Sequence, residues 1–207
     1  MKHKVFNLII LDESGSMEVI KTNIVRGFNE MVQTIKGIEI QFPDQEHYIS
    51  FITFNGLGRK TLLWNEAVKD LNQINSEDYR PDASTPLFDA IGFSICRLNT
   101  ELEENTNFNV LVTIFTDGEE NASHEFNQHS IKRIIEDLKT KNWTFSYIGT
   151  DHNVEKTASS ISINNRMYFE KTSTGLKNIF EKDKISRINF SQKIKNNKST
   201  KDDYFKQ

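Results

Sequence analysis

Asp12, Ser14 and Ser16 stand at alternate positions directly after an apolar segment of the chain. That segment, Val5 to Leu11, is almost continuously apolar, which is typical of a strand covered on both faces. A carboxylate and two hydroxyls are hard oxygen donors of the kind that Mg²⁺ prefers. Because they carry little negative charge, the three predict a loosely held divalent cation with an open coordination position.

Two later segments offer matching donors. Thr85, within Ser84-Thr85-Pro86, precedes a helical pattern, and Asp117 follows the apolar strand pattern of residues 108–115. Because ligands of open α/β sheets bind at the carboxyl ends of the strands, we expect these side chains to meet Asp12 there. Three hydroxyls and two carboxylates leave a divalent cation partly uncompensated, so such a site would attract an external carboxylate.

Each segment also has a local explanation. Asp12 or Ser16 could cap a helix that begins near Met17. Thr85 could be an ordinary helix cap followed by proline, and Asp117 with the next glycine could form a plain turn. The three segments together, in this order and each next to the expected element, favour the metal site.

The combination resembles the von Willebrand factor type A (VWA) domain and its metal-ion-dependent adhesion site over about residues 4–170. The motif wording, with Asp-Glu-Ser-Gly-Ser-Met, is most similar to stand-alone intracellular bacterial or phage members. The resemblance implies a bound Mg²⁺, with Mn²⁺ or Ca²⁺ as alternatives. It also implies that the metal is contacted directly by Ser14, Ser16 and Thr85, and directly or through water by Asp12 and Asp117.

The elements that must position these residues alternate between strand and helix patterns, which predicts an α/β fold with a mostly parallel sheet and helices on both faces. The resemblance implies that the sheet is doubly wound and Rossmann-like with one short antiparallel edge strand, for which Lys60 to Trp64 is the candidate. A first helix is predicted to end at Gly37, and a short helix is predicted over residues 65–74.

The last part of the chain has a different pattern. We expect a VWA domain over residues 1–172 and a helical extension over residues 173–207. Ile179 and Ile185 fall on opposite sides of the predicted helix, so a break near Asp183 is expected. Residues 193–207 are rich in Lys, Asn and Ser, which indicates a disordered basic tail.

Composition narrows the possible partners. A net charge of −3 gives no support for nucleic-acid binding, and the apolar runs are too short to span a membrane. The only cysteine, Cys96, excludes an intrachain disulfide. No signal-peptide pattern is seen, so we expect a cytoplasmic protein.

The expected function is a metal-dependent protein-binding module, in which the metal bridges to an Asp or Glu of a partner protein. No catalytic constellation is identified, so an enzyme is not expected; the loop histidines, His124 and His129, are expected to have no metal role. Two alternatives stay open. One is a metal-assisted phosphoester hydrolase that uses Asp117 or Glu119, and the other is a subunit of an ATPase-driven or stress-resistance complex.

Overall fold

The computed structural model of the protein describes residues 2–150 and 153–206. Within these residues the strands are β1 (His3–Asp12), β2 (Gln45–Asn55), β3 (Gly58–Ala67), β4 (Phe108–Thr116), β5 (Trp143–Gly149) and β6 (Asn165–Tyr168). The α-helices are α1 (Lys21–Gln41), α2 (Leu87–Leu102), α3 (Gln128–Lys139), α4 (Val154–Ser160) and α5 (Ser173–Lys195). None of the helices in the described part of the chain is both long and apolar enough to cross a membrane.

The strands form one sheet in the order β3-β2-β1-β4-β5-β6. All neighbouring strands are parallel except β2 and β3, which form an antiparallel hairpin at one edge. The predicted edge strand is therefore confirmed, but β3 continues to Ala67. The helix predicted over residues 65–74 is wrong: a single 3-10 turn, Val68–Asp70, follows the strand.

Helices cover both faces of the sheet, as the nearly continuous apolar character of β1 indicates. Leu8 and Ile10 pack with residues of α2, α3 and α4, whereas Ile9 and Leu11 pack with residues of α1 and α5. Successive side chains of a strand point to opposite faces, so a strand between two helical layers is apolar at every position. The doubly wound α/β fold is confirmed.

The strand order reverses between β1 and β4. From β1 the chain passes through α1 to β2 on one side, and it later returns through α2 to β4 on the other side. In the parallel register of β1 and β4, Leu11 lies beside Phe115. Asp12 and Thr116, the last residues of the two strands, are therefore level with each other at the switch point, where such folds bind ligands.

Helix α1 does not end at Gly37, as the sequence pattern predicted, but continues to Gln41. Ile38 and Phe42, just beyond the glycine, are 2% and 1% exposed. The packing of these two side chains outweighs the roughly 1 kcal/mol that glycine costs inside a helix.

Helix α5 is continuous through Asp183, where the sequence pattern predicted a break. Its buried side runs through Leu176, Ile179, Asp183, Arg187, Phe190 and Ile194. Ile185, whose position suggested a second buried side, is 41% exposed. The apolar pattern predicted a break because Asp183 and Arg187, which are charged, occupy core positions of this helix.

Arg187 and Asp183 form an ion pair in which both side chains are 2% exposed. Arg187 Nη1 donates to Asn7 Oδ1 at 3.1 Å and its Nη2 donates to Thr113 Oγ1 at 2.9 Å, so the guanidinium reaches the polar positions of β1 and β4. The Tyr204 hydroxyl donates to Asp183 Oδ1 at 2.9 Å. Each charge in this pair is therefore matched by several partners, as a buried pair requires.

Residues 200–204 pack on the sheet, which differs from the disordered tail expected from the composition of residues 193–207. Thr200 and Tyr204 are 4% and 3% exposed. Asn109 Nδ2 donates to Thr200 Oγ1 at 3.1 Å, and Tyr204 N donates to Asn165 Oδ1 at 3.0 Å. Asn109 belongs to β4 and Asn165 to β6, so Thr200 and Tyr204 cover polar positions of the sheet. The division of the chain at residue 172 stays a prediction.

Replacing Arg187 with methionine should destabilise the fold by about 3–5 kcal/mol, because Asp183 would remain buried without its cation. Urea denaturation measures the loss. Lys184→Met is the matched control, since Lys184 pairs with Glu181 at 4.0 Å on the surface and should cost about 0–1 kcal/mol. Equal midpoints for the two variants would contradict the structural role given to Arg187.

Candidate metal centre

Asp12 is fully buried at the end of β1, with an exposed fraction of 0%. Its Oδ1 accepts from the backbone N–H of Ser14 at 2.8 Å, and its Oδ2 accepts from the Thr116 hydroxyl at 2.5 Å. The Tyr79 hydroxyl donates to the backbone carbonyl of Asp12 at 2.6 Å. The carboxylate is thus held in one orientation by the loop after β1 and by β4, while the loop before α2 fixes the backbone of Asp12.

The two serines connect β1 to Asp117 on the loop after β4. Ser14 Oγ lies 3.2 Å from Ser16 Oγ, and the Ser16 hydroxyl donates to Asp117 Oδ1 at 2.7 Å. Ser14 and Asp117 are buried, whereas Ser16 is exposed. The cluster is therefore open to solvent on the Ser16 side.

Thr85 reaches the same cluster from the start of α2, beside Gly118. A Cβ placed on Gly118 would lie 3.2 Å from Thr85 Oγ1 and 3.9 Å from Asp12 Oδ2. Both oxygens therefore border the small space next to this glycine. The five residues singled out from the sequence are brought together at the switch point of the sheet.

Of the local explanations, the two helix caps are not realised in the structure, whereas the chain does turn after β4. Ser14 precedes the 3-10 helix Gly15–Ile20 and makes no side-chain cap hydrogen bond. The cap position of α2 is Pro86, not Thr85, and it also has no side-chain bond to the helix. In the turn after β4, the Gly118 N–H donates to the Thr116 hydroxyl at 3.2 Å. The side-chain oxygens of the cluster are therefore not used to cap a helix.

The loop that follows Asp117 is fixed to the N-terminal end of α2. Asp89 accepts hydrogen bonds from the backbone N–H groups of His124, Glu125 and Phe126 at 2.8–3.0 Å. Asn121 Oδ1 accepts from Thr85 N at 2.9 Å, and Asn121 N donates to Thr85 O at 3.2 Å. Asp89 thus organises this loop, and Asn121 ties Thr85 to it.

Glu13 directly follows Asp12 and is 1% exposed. Its Oε2 accepts from the Thr53 hydroxyl at 2.7 Å, and its Oε1 lies 2.7 Å from Lys60 Nζ and accepts from the backbone N–H of Arg80. No pattern in the sequence indicates that Glu13 is a buried structural residue. Glu13 joins β2, β3 and the loop before α2, and its charge is compensated without any bound ligand.

Burial sets the electrostatics of the cluster. It raises the pKa of Asp12 to about 6, against the lowering effect of the hydrogen bonds from Thr116 and Ser14, and the nearby charge of Asp117 adds to the rise. The ionised carboxylate is therefore under-compensated at neutral pH. A divalent cation supplies the missing positive charge, so the donor set fits such an ion.

The negative charge of Asp117 is compensated in part by Lys171, which no pattern in the sequence identifies. Asp117 Oδ2 is buried and accepts no hydrogen bond of good geometry. Lys171 Nζ lies 2.6 Å from this oxygen, so charge attraction joins the two groups although the approach is poorly aligned. No sequence motif surrounds Lys171, and only the fold brings it to the site.

Other candidates for chemistry lie on the surface. Glu119 and His124 are exposed on the loop between β4 and α3, and His129 is exposed in the first turn of α3. Over residues 2–150 and 153–206, no group of three or more His, Cys, Asp or Glu side chains is placed to hold a metal. The cluster at the switch point does not meet that description because three of its five donors are hydroxyls.

The fold and this cluster define an α/β domain with a polar oxygen-rich site at its switch point. The model of the von Willebrand factor type A domain family matches residues 8–182. The chain therefore belongs to this family, as the resemblance in the sequence suggested. A search of curated protein sequences finds no match.

Solved structures support the same fold at low sequence identity. The PilB minor pilin from Streptococcus sanguinis has a TM-score of 0.65 and 12% identity, over 91% of this chain and 62% of the pilin. A von Willebrand factor type A protein from Catenulispora acidiphila has a TM-score of 0.62 and 12% identity, over 90% of this chain and 43% of that one. The manganese-loaded TRAP protein of Plasmodium vivax has a TM-score of 0.53 and 15% identity, over 86% of this chain and 73% of TRAP. This chain thus spans less than two thirds of the first two proteins.

Asp12→Asn should stabilise the metal-free protein at neutral pH, because burial disfavours the ionised carboxylate. The pKa in the folded state, about 6, lies above the ordinary value of 3.8. The stability that the protonated form provides is therefore complete below pH 3.8 and lost as the pH rises through about 6. Asparagine imitates the protonated group at every pH, so it should gain about 2–3 kcal/mol above pH 6 and little near pH 4.

Urea denaturation in EDTA, near pH 4 and near pH 7.5, measures this difference. Glu119→Gln is the control, since it removes an exposed carboxylate from the same loop region and should change stability little at either pH. An Asp12→Asn variant that is less stable than the wild type at the higher pH would refute the electrostatic account.

Proposed function

We propose that this domain binds a partner protein through a divalent cation held by Asp12, Ser14, Ser16, Thr85 and Asp117. The observation that carries the proposal is the pair of buried, under-compensated carboxylates among three hydroxyls, at a cluster open to solvent beside Ser16. The family to which the chain belongs commonly binds divalent metals and mediates protein–protein interaction.

The chemistry of the donors favours a hard cation. All five side chains offer oxygen, which suits Mg²⁺, Mn²⁺ or Ca²⁺ better than soft metals. Mn²⁺ gains support from the manganese-loaded TRAP protein, whose fold this chain shares. In our proposal the three hydroxyls bind the cation directly, and Asp12 and Asp117 bind it directly or through water.

The partner group that best fits this centre is a carboxylate. Three of the five donors are neutral hydroxyls, and the two acidic side chains do not exceed the charge of a divalent cation, so the ion can accept an Asp or Glu of the partner as a further ligand. The exposed side of the cluster at Ser16 is where such a side chain would approach. The metal, when bound, supplies Lewis-acid attraction for that carboxylate.

Binding is better supported than phosphoester hydrolysis. A general base must be free to accept a proton near the reacting group. Asp117 has one oxygen bonded to Ser16 and the other paired with Lys171. Glu119, the other candidate base, is exposed on the loop. We therefore propose that the domain is not an enzyme, and a screen of generic phosphoesters with Mn²⁺ tests this point.

Asp12→Ala should abolish the binding of Mg²⁺ and Mn²⁺ while the fold survives, because it removes a buried donor from the centre of the set. Isothermal titration calorimetry measures the binding, and circular dichroism checks the fold. Glu119→Ala is the matched control, since it removes a nearby acid that lies outside the five. Unchanged affinity in Asp12→Ala would overturn the proposed ligand set.

Partner capture from a lysate, with Mg²⁺ and with EDTA, tests the second half of the proposal. A partner should be retained by the wild type with Mg²⁺ and lost with EDTA or with Asp12→Ala, since the cation forms the bridge. Identification of that partner also tests whether the domain is a subunit of an ATPase-driven or stress-resistance complex. Capture that is insensitive to both EDTA and Asp12→Ala would show that the metal does not bridge.

A further inference from the structure

Lys171 lies at the metal centre although it belongs to neither the family motif nor a neighbouring strand end. Its Nζ is 2.6 Å from Asp117 Oδ2, and the two side chains are 20% and 0% exposed. Most other ion pairs in the described residues join two exposed side chains, as in the pairs of Lys132 on α3 and of Lys141 just after this helix. A lysine paired with a buried carboxylate therefore differs from an ordinary surface pair.

The backbone on both sides of Lys171 is fixed. Phe169 is 2% exposed, its ring centroid is 4.8 Å from that of Phe115, and its N–H donates to Gly149 O at 3.0 Å. On the other side, the Thr172 hydroxyl accepts from Gly175 N at 2.9 Å and caps α5. The backbone at Lys171 is thus held near the site by packing on one side and by capping on the other.

The other buried carboxylates with a basic partner are satisfied more fully. Glu13 accepts from Thr53 and from the Arg80 backbone besides its pair with Lys60. For Asp117 Oδ2, in contrast, no well-aligned hydrogen bond is found, and Lys171 lies close by. The charge of Lys171 therefore acts directly on one of the five proposed metal ligands.

We infer that Lys171 sets the charge balance of the metal centre, so that it weakens the hold on the cation and strengthens the attraction for an anionic ligand. This inference rests on the proposed metal-dependent function. Asp12 and Asp117 together balance the charge of a divalent cation, and Lys171 places a positive charge directly beside Asp117. That charge attracts the carboxylate of a partner. Lys171 is in this sense a specificity-determining residue for carboxylate ligands.

The two effects have opposite signs, because Lys171 repels the cation and attracts the anion. Lys171→Met keeps the length of the side chain and removes its charge. It should bind Mn²⁺ about tenfold more tightly than the wild type, since a unit charge a few ångströms away acts through a partly screened medium. The Mn²⁺-loaded variant should bind acetate, a single carboxylate, about tenfold more weakly for the same reason.

Calorimetry with Mn²⁺ measures the first affinity, and Mn²⁺-dependent broadening of the acetate methyl resonance measures the second. Lys60→Met is the matched control: Lys60 Nζ lies 2.7 Å from Glu13 Oε1, so this variant removes a lysine from a buried carboxylate that is not a proposed ligand. Lys171→Arg keeps the charge and should resemble the wild type in both assays. Lys171→Gln repeats the test with a polar side chain if methionine impairs folding.

Tighter Mn²⁺ binding together with weaker acetate binding in Lys171→Met, absent from Lys60→Met, supports the inference. A wild type that binds Mn²⁺ while Lys171→Met shows unchanged affinities for both ligands overturns it and leaves the metal-dependent function standing. Movement of both affinities in the same direction also overturns it, since charge alone requires opposite signs. A wild type that binds no Mn²⁺ overturns the proposed function and this inference together.

Discussion

The burial of two carboxylates at the switch point of the sheet is the constraint on which this structure depends. Asp12 is fully buried, and Asp117 is 2% exposed on the neighbouring loop. Taking such groups out of water is costly unless hydrogen bonds or positive charges replace the solvent. Asp12 accepts hydrogen bonds from a backbone N–H and a hydroxyl, and Asp117 accepts one from Ser16 and is paired with Lys171. Asp12 nevertheless retains a raised pKa, so compensation by the protein alone is incomplete.

The surrounding framework serves to hold these groups in place. The parallel register sets Leu11 beside Phe115, and this pairing carries Asp12 and Thr116 to the same level. Glu13 connects the first loop to β2 and β3, and Asp89 fixes the loop after β4 to α2. The acids around the site thus fall into two kinds. Glu13 and Asp89 are satisfied by protein donors and have structural roles, whereas Asp12 has a raised pKa and Asp117 Oδ2 accepts no well-aligned hydrogen bond.

The sequence was sufficient for the features that depend on local pattern. The apolar runs of β1 and β4 could be found because the strand period is local. The antiparallel edge strand and the five oxygen-bearing residues could be found because their segments resemble the VWA family pattern. It was insufficient where a residue's role depends on distant partners. Asp183 and Arg187 disrupt the apolar pattern of α5 but are buried by partners on β1, β4 and the last residues of the chain. Lys171 reaches Asp117 from a segment that is placed by the packing of Phe169 on Phe115, a contact between residues far apart in sequence.

The Asp183–Arg187 network and the cluster around Asp12 are both buried, but only the cluster is a candidate binding site. Asp183 has a guanidinium and a tyrosine hydroxyl, and Arg187 has in addition Asn7 and Thr113, so this network is balanced from within. The cluster around Asp12 joins two acids with several hydroxyls, has Lys171 beside it, and opens to solvent at Ser16. A closed and balanced network would gain little from a ligand. In the proposed function, the open cluster would gain stability from a cation, and Lys171 would then favour a second, anionic ligand. The difference in charge balance, rather than the number of polar residues, distinguishes the site from the scaffold.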